Sequence, residues 1–137
     1  MIVQVNNECP GFTAGERDVC TVFAIAGADP LTETATLHPT DDTTVSVTFV
    51  DDEQMRALNA EYRGIDATTD VLSFPLDDTE LLGDIVVSPA QTDDIPLMLV
   101  HGYLHLCGYD HETDDQAAEM DAVTDRILKQ WRSSTNH

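Results

Sequence analysis

The pattern of apolar residues along this chain predicts an α+β domain, a small mixed sheet of about four strands packed on helices. Three observations lead there. Short β-branched runs alternate with stretches of three-and-four apolar spacing, and one of those stretches is apolar all round, which marks a central buried helix. The length of 137 residues suits one hydrophobic core, so residues 1–137 read as a single domain.

Each element has its own signal. Ile2, Val3 and Val5 suggest a first strand. Residues 14–26 predict a helix, with Val19, Val22, Phe23 and Ala26 inward and Gly27 and Pro30 marking its exit. The Thr- and Asp-rich residues 32–44 read as a connection. VSVTFV (45–50) is a strand, and Asp51 or Asp52 can cap the helix that follows, which carries Met55, Leu58, Asn59 and Tyr62 and closes at Gly64 beyond Arg63. VLSF (71–74) and GDIVVS (83–88) predict a hairpin joined by an acidic connection with Pro75 and residues 77–80. Pro96 can start the all-apolar helix of Leu97, Leu99, Val100, Leu104 and Leu106, which Gly108 ends. A last amphipathic helix is expected over about residues 114–131, with Met120, Val123, Ile127 and Leu128 inward.

Charge narrows the function classes. Twenty-six Asp and Glu against six Lys and Arg give a net charge of -20, which excludes a general nucleic-acid or anionic-membrane surface. The cations are Arg17, Arg56, Arg63, Arg126, Lys129 and Arg132, so residues 64–125 hold none except what histidine or a metal supplies. Such a balance suits either a protein dissolved in concentrated salt or an acidic protein kept soluble by its charge. Cys9, Cys20 and Cys107 are an odd count in apolar surroundings, expected to be buried reduced thiols of a cytoplasmic protein. The start MIVQVNNECP has no signal-peptide pattern and no run is long enough to span a membrane, so neither secretion nor anchoring is expected.

The chemistry concentrates in His101-Gly-Tyr-Leu-His105-Leu-Cys-Gly-Tyr-Asp-His111. Residues 101 and 105 project from one helix face, and a left-handed Gly108 can turn the chain back to bring His111 to the same ion. Three imidazoles leave a fourth position open for water, the pattern of catalytic rather than structural zinc. Cys107 faces elsewhere, and His38 and His137 are expected to be solvated. The spacing matches the metzincin motif except that Gly102 replaces the general-base glutamate, which disfavours proteolysis. A mid-helix glycine there suggests close approach or free space beside the metal. Tyr103 and Trp131 suit packing better than base stacking, for which Tyr109 is a further candidate. Asp110 can orient an imidazole, accept a proton or simply form a turn.

This histidine block is the full signature H-G-x-L-H-L-x-G-Y-D-H of the YbeY endoribonucleases, or rRNA maturation factors, which the chain resembles. Further blocks of that resemblance are Leu58-Asn59 to Tyr62-Arg63, Thr69 to Pro75, and Leu82-Gly83-Asp84-Ile85, in order across residues 45–130. The resemblance implies a zinc-dependent endoribonuclease specific for single strands, acting in 3′-end maturation of small-subunit (16S) rRNA and in ribosome quality control. It implies one zinc ion on His101, His105 and His111, and Arg63 as the arginine that meets the phosphate. Without it, Arg63 reads first as a helix-end arginine favourable to the dipole. Implied partners are single-stranded rRNA, the small ribosomal subunit with one of its proteins, and a ribosome-assembly GTPase; no membrane is expected. A non-catalytic assembly factor with a structural metal is the alternative, and Asp84 could face a protein partner. Two departures stand out. Only twelve residues separate Ser88 from His101, where similar proteins carry an additional helix, and this chain is the more acidic.

Overall fold

The computed structural model describes residues 1–76 and 80–135. Its elements in order are β1 (Ile2–Asn7), α1 (Glu16–Ala28), β2 (Thr44–Phe49), α2 (Asp52–Arg63), β3 (Val71–Pro75), β4 (Leu81–Val87), α3 (Ile95–Leu106) and α4 (Asp114–Thr135). A single turn of 3₁₀ helix, Pro89–Gln91, occupies the short segment before α3. The sheet is mixed, with order β1-β2-β4-β3: β1, β2 and β4 run parallel and β3 pairs antiparallel with β4 as the expected hairpin. The hairpin connection at residues 77–79 and His137 lie outside the described residues.

Alternation along the strands sorts the two faces. Val45, Val47 and Phe49 of β2 and Ile85 and Val87 of β4 join the main core with Phe23, Leu99, Leu104 and Ile127 from α1, α3 and α4. The opposite face packs Leu72, Val86 and Val50 against Met55 of α2. No residue of α3 is fully exposed, as its all-round apolar pattern requires. Tyr103 packs edge-on to Phe23 with ring centroids 5.8 Å apart, so it is a core residue and unavailable to RNA bases. Tyr109 is buried as well.

Caps fix where the helices begin and end. Asp51 and Gln54 form a reciprocal capping box on α2, and Gly64 closes that helix in the left-handed conformation, φ 70°. Asp94 caps α3 through the Leu97 N–H, placing Pro96 inside the first turn rather than at the very start. Two expectations need correction. Helix α1 runs through Gly27 to Ala28 and ends at Asp29, whose backbone turns extended while its N–H still reaches the Ala26 carbonyl; Gly27 lies against Met1, where a Cβ would be 3.1 Å from the Met1 Cε. Of the cysteines, only Cys107 is buried; Cys9 is half-buried and Cys20 lies on the outward face of α1, between the phases that place Val19 and Val22 in the core. All three are free thiols. Among the described residues no helix is long and apolar enough to cross a membrane.

Candidate metal centre

Helix α3 carries His101 and His105 one turn apart, and its termination delivers the third histidine. The Gly108 N–H bonds to the His105 carbonyl at 3.1 Å and the Tyr109 N–H to the Leu104 carbonyl at 2.9 Å, the paired bonds of a Schellman motif. Gly108 has φ 110°, and a Cβ on it would lie 2.5 Å from the Thr36 Oγ. Glycine is required there on both counts. The chain then reverses, and Asp110 accepts the His111 N–H at 2.7 Å, which fits its reading as a turn-former.

One ligand atom from each of His101, His105 and His111 falls within 4.8 Å of the others. The Nε2 atoms of His101 and His105 are 3.0 Å apart. Nitrogens bound tetrahedrally to one zinc at about 2.0–2.1 Å lie about 3.3 Å from each other, so this cluster has the dimensions of a single first-row ion. His105 Nδ1 donates to the Tyr109 carbonyl at 2.9 Å, which fixes the tautomer and leaves the Nε2 lone pair available to a metal ion. Burial, seconded by the neighbouring His105 and His111, lowers the pKa of His101 below the ordinary imidazole value. Burial likewise lowers that of His105, against the opposing hydrogen bond to Tyr109. Neutral imidazoles are what a cation needs.

Gly102 is explained by close approach. A Cβ on it would lie 2.7 Å from Ile85 Cγ2 and 3.2 Å from Ser73 Oγ, so α3 rests directly on the β3–β4 hairpin. The Ser73 hydroxyl donates to the Gly102 carbonyl at 3.3 Å. The metzincin glutamate would have no room at this position. Cys107 points into the core, where burial pushes its thiol up to about 12, and it takes no part in the cluster.

A cavity of about 560 Å³ opens over the histidines, lined also by Arg63, Thr69, Asp70, Ser73 and Asp110. Arg63 stands at the last turn of α2, exposed, and lines the same cavity as the three imidazoles although 37 residues separate it from His101. His38 is exposed and outside this site. Two participants escaped the sequence reading, the Tyr109 carbonyl and Thr36, and Asp70 stood in a matched block with no role assigned to it. A backbone acceptor carries no side-chain signal, although the helix-ending glycine before Tyr109 indicates that its carbonyl turns back.

Against proteins of known family, residues 28–132 match the model described as Endoribonuclease YbeY. The chain belongs to the YbeY family. Relatives bearing that name include one from Moorella thermoacetica, 33% identical over 153 positions that cover 93% of this chain and 96% of the relative. Another, from a Sulfurihydrogenibium species, is 45% identical over 93 residues, 56% of this chain and 61% of that one, so this match spans about three fifths of the relative's length. A Thermotoga maritima protein solved in solution shares the fold, with TM-score 0.57 and 25% identity over 98% of this chain and 94% of that one. The 153 aligned positions exceed the 137 residues here, so the alignment includes positions of the Moorella relative at which this chain has no residue.

Proposed function

We infer that this YbeY-family chain is a zinc-dependent, single-strand-specific endoribonuclease of small-subunit rRNA maturation, acting in the cytoplasm as one domain over residues 1–137. The observation that carries the reading is the shared cavity of Arg63 with His101, His105 and His111. A protein with net charge -20 has little means to hold RNA by its general surface, so phosphate recognition must be concentrated. Here a cation site and a guanidinium adjoin.

When bound, a zinc ion would act as a Lewis acid toward a phosphodiester oxygen and acidify water toward a pKa of about 7. The protein's own residues do the rest. His105 is held by the Tyr109 carbonyl so that its Nε2 faces the other imidazoles. Arg63 presents a planar fork suited to two phosphate oxygens and to the charge that develops on them. Its exposure lets an extended strand reach it without passing through a tunnel.

At a Debye length of about 8 Å in physiological salt, the distant carboxylates oppose RNA weakly while the site acts at contact distance. Affinity for free RNA is accordingly low, and a basic ribosomal protein of the small subunit, or an assembly GTPase, is the kind of partner that would position the substrate. Cells depleted of the protein and supplied with Arg63→Ala or His101→Ala should accumulate unprocessed rRNA 3′ ends. Full restoration of processing by both variants would leave only a non-catalytic assembly role.

A further inference from the structure

Residues 29–37, which run into the stretch 32–44 that reads in the sequence as a connection, are bonded over the turn that ends α3. The Thr36 and Leu37 N–H groups both donate to the Cys107 carbonyl, at 2.8 and 3.2 Å. The Tyr109 ring is 2% exposed, and its oxygen receives the Thr32 N–H at 2.7 Å while lying 2.8 Å from the Thr32 hydroxyl. That hydroxyl donates to one oxygen of Glu119 at 2.6 Å, and the Thr34 hydroxyl donates to the other at 2.6 Å. With Thr32 Oγ1 committed as a donor to the carboxylate, the Tyr109 O–H donates to Thr32. The segment is tied at its start by Asp29, whose carboxylate takes two bonds from Arg126 at 2.7 and 2.8 Å and one from the Leu31 N–H at 2.8 Å.

We propose that this segment and Glu119 form a clamp whose task is to set the metal centre, with Thr32 and Glu119 as positioning residues acting through Tyr109. One end of Tyr109 is gripped by Thr32, and its other end, the carbonyl, holds His105 Nδ1. Two residues farther on stands His111, the only cluster member outside α3. Loosening the ring therefore moves both the acceptor that orients one ligand and the backbone that places another. Outer partners of metal-bound histidines commonly govern metal affinity about 10–100-fold, and Thr32 stands one hydrogen bond and Glu119 two beyond such a partner. The inference rests on the reading of the three histidines as a metal site.

Zinc affinity by chelator competition and the visible spectrum of the cobalt-substituted protein test it on the full chain. Thr32→Val and Glu119→Gln should each weaken zinc binding about 10-fold and alter the cobalt bands, and Thr32→Ser should return both to within about 2-fold of wild type. Val22→Ala, a core truncation in α1, serves as the control for lost stability. Wild-type affinity and spectrum in both Thr32→Val and Glu119→Gln would overturn the clamp, as would an equal loss in Val22→Ala. A wild-type chain that takes up neither ion would instead overturn the metal site itself. Glu119 is only half-buried, so its glutamine variant remains informative even where Thr32→Val fails to fold.

Discussion

The two faces of the sheet carry cavities of opposite character. Beside α2 lies the larger, a groove of about 870 Å³ lined by side chains such as Thr48, Leu58, Tyr62, Phe74 and Asp84. The smaller, about 560 Å³, lies where α3 meets the β3 edge. Only the smaller gathers three imidazoles within ligand distance, depresses the pKa of two of them and places an arginine on its wall. Volume reports where helices fail to cover a sheet, and α2 alone covers less than α1, α3 and α4 together. Chemistry instead follows close packing. Helix α3 can hold its histidines in fixed relation because Gly102 lets it sit on Ile85 and the Gly108 turn is bonded on both sides.

Removing a ligand is the severest way to break this contrast. His105→Ala should lower zinc affinity by more than the roughly 100-fold that an outer partner can account for, whereas Leu58→Ala in the groove should leave it unchanged in the same dialysis measurement. Next comes Gly102→Ala. Its Cβ collides with a stiff β-branched side chain, and overpacking of this kind costs about 1–3 kcal/mol, partly offset by the roughly 1 kcal/mol gain in helix propensity. Urea denaturation should show the net loss.

Asp29 provides a smaller, pH-dependent effect on the α3 side. The Arg126 hydrogen bond holds its carboxyl below the usual aspartate value, and the side chain is 1% exposed. A lowered pKa in the folded state contributes stability above the unfolded value of about 3.9, lost as pH falls through the folded value. Asp29→Asn should therefore cost on the order of 1–3 kcal/mol at pH 7 and flatten the decline of the melting temperature below about pH 4. Least affected should be Thr48→Ala in the open groove, within about 0.5 kcal/mol of wild type.

Much of this contrast was legible in the sequence. β-Branched runs located the strands, the all-round apolar stretch located α3, and the histidine spacing with Gly108 located the histidine cluster. The cluster is local, eleven residues long, and its geometry follows from helix period and a glycine turn. What escaped was non-local or carried by backbone. The bonds from Thr32 to Tyr109 and Glu119 span 77 and 87 residues, and polar threonines at such separations read only as solvated loop. Cys20 and Gly27 were misplaced because a short apolar helix has more than one plausible phase and end. Arg63 shows the limit in between: its helix end was evident, but only the folding of α2 beside the hairpin puts it on the wall of the histidine cavity.

Leu31 ties the clamp to the main core. Its φ of 59° is one that a leucine resists by about 1–2 kcal/mol, yet its side chain is 8% exposed and packed in the main core. The Asp29 carboxylate supports the turn locally by accepting the Leu31 N–H at 2.8 Å. Burial of the leucine offsets that strain, so the segment over the histidine turn is secured by the main core as well as by its own hydrogen bonds.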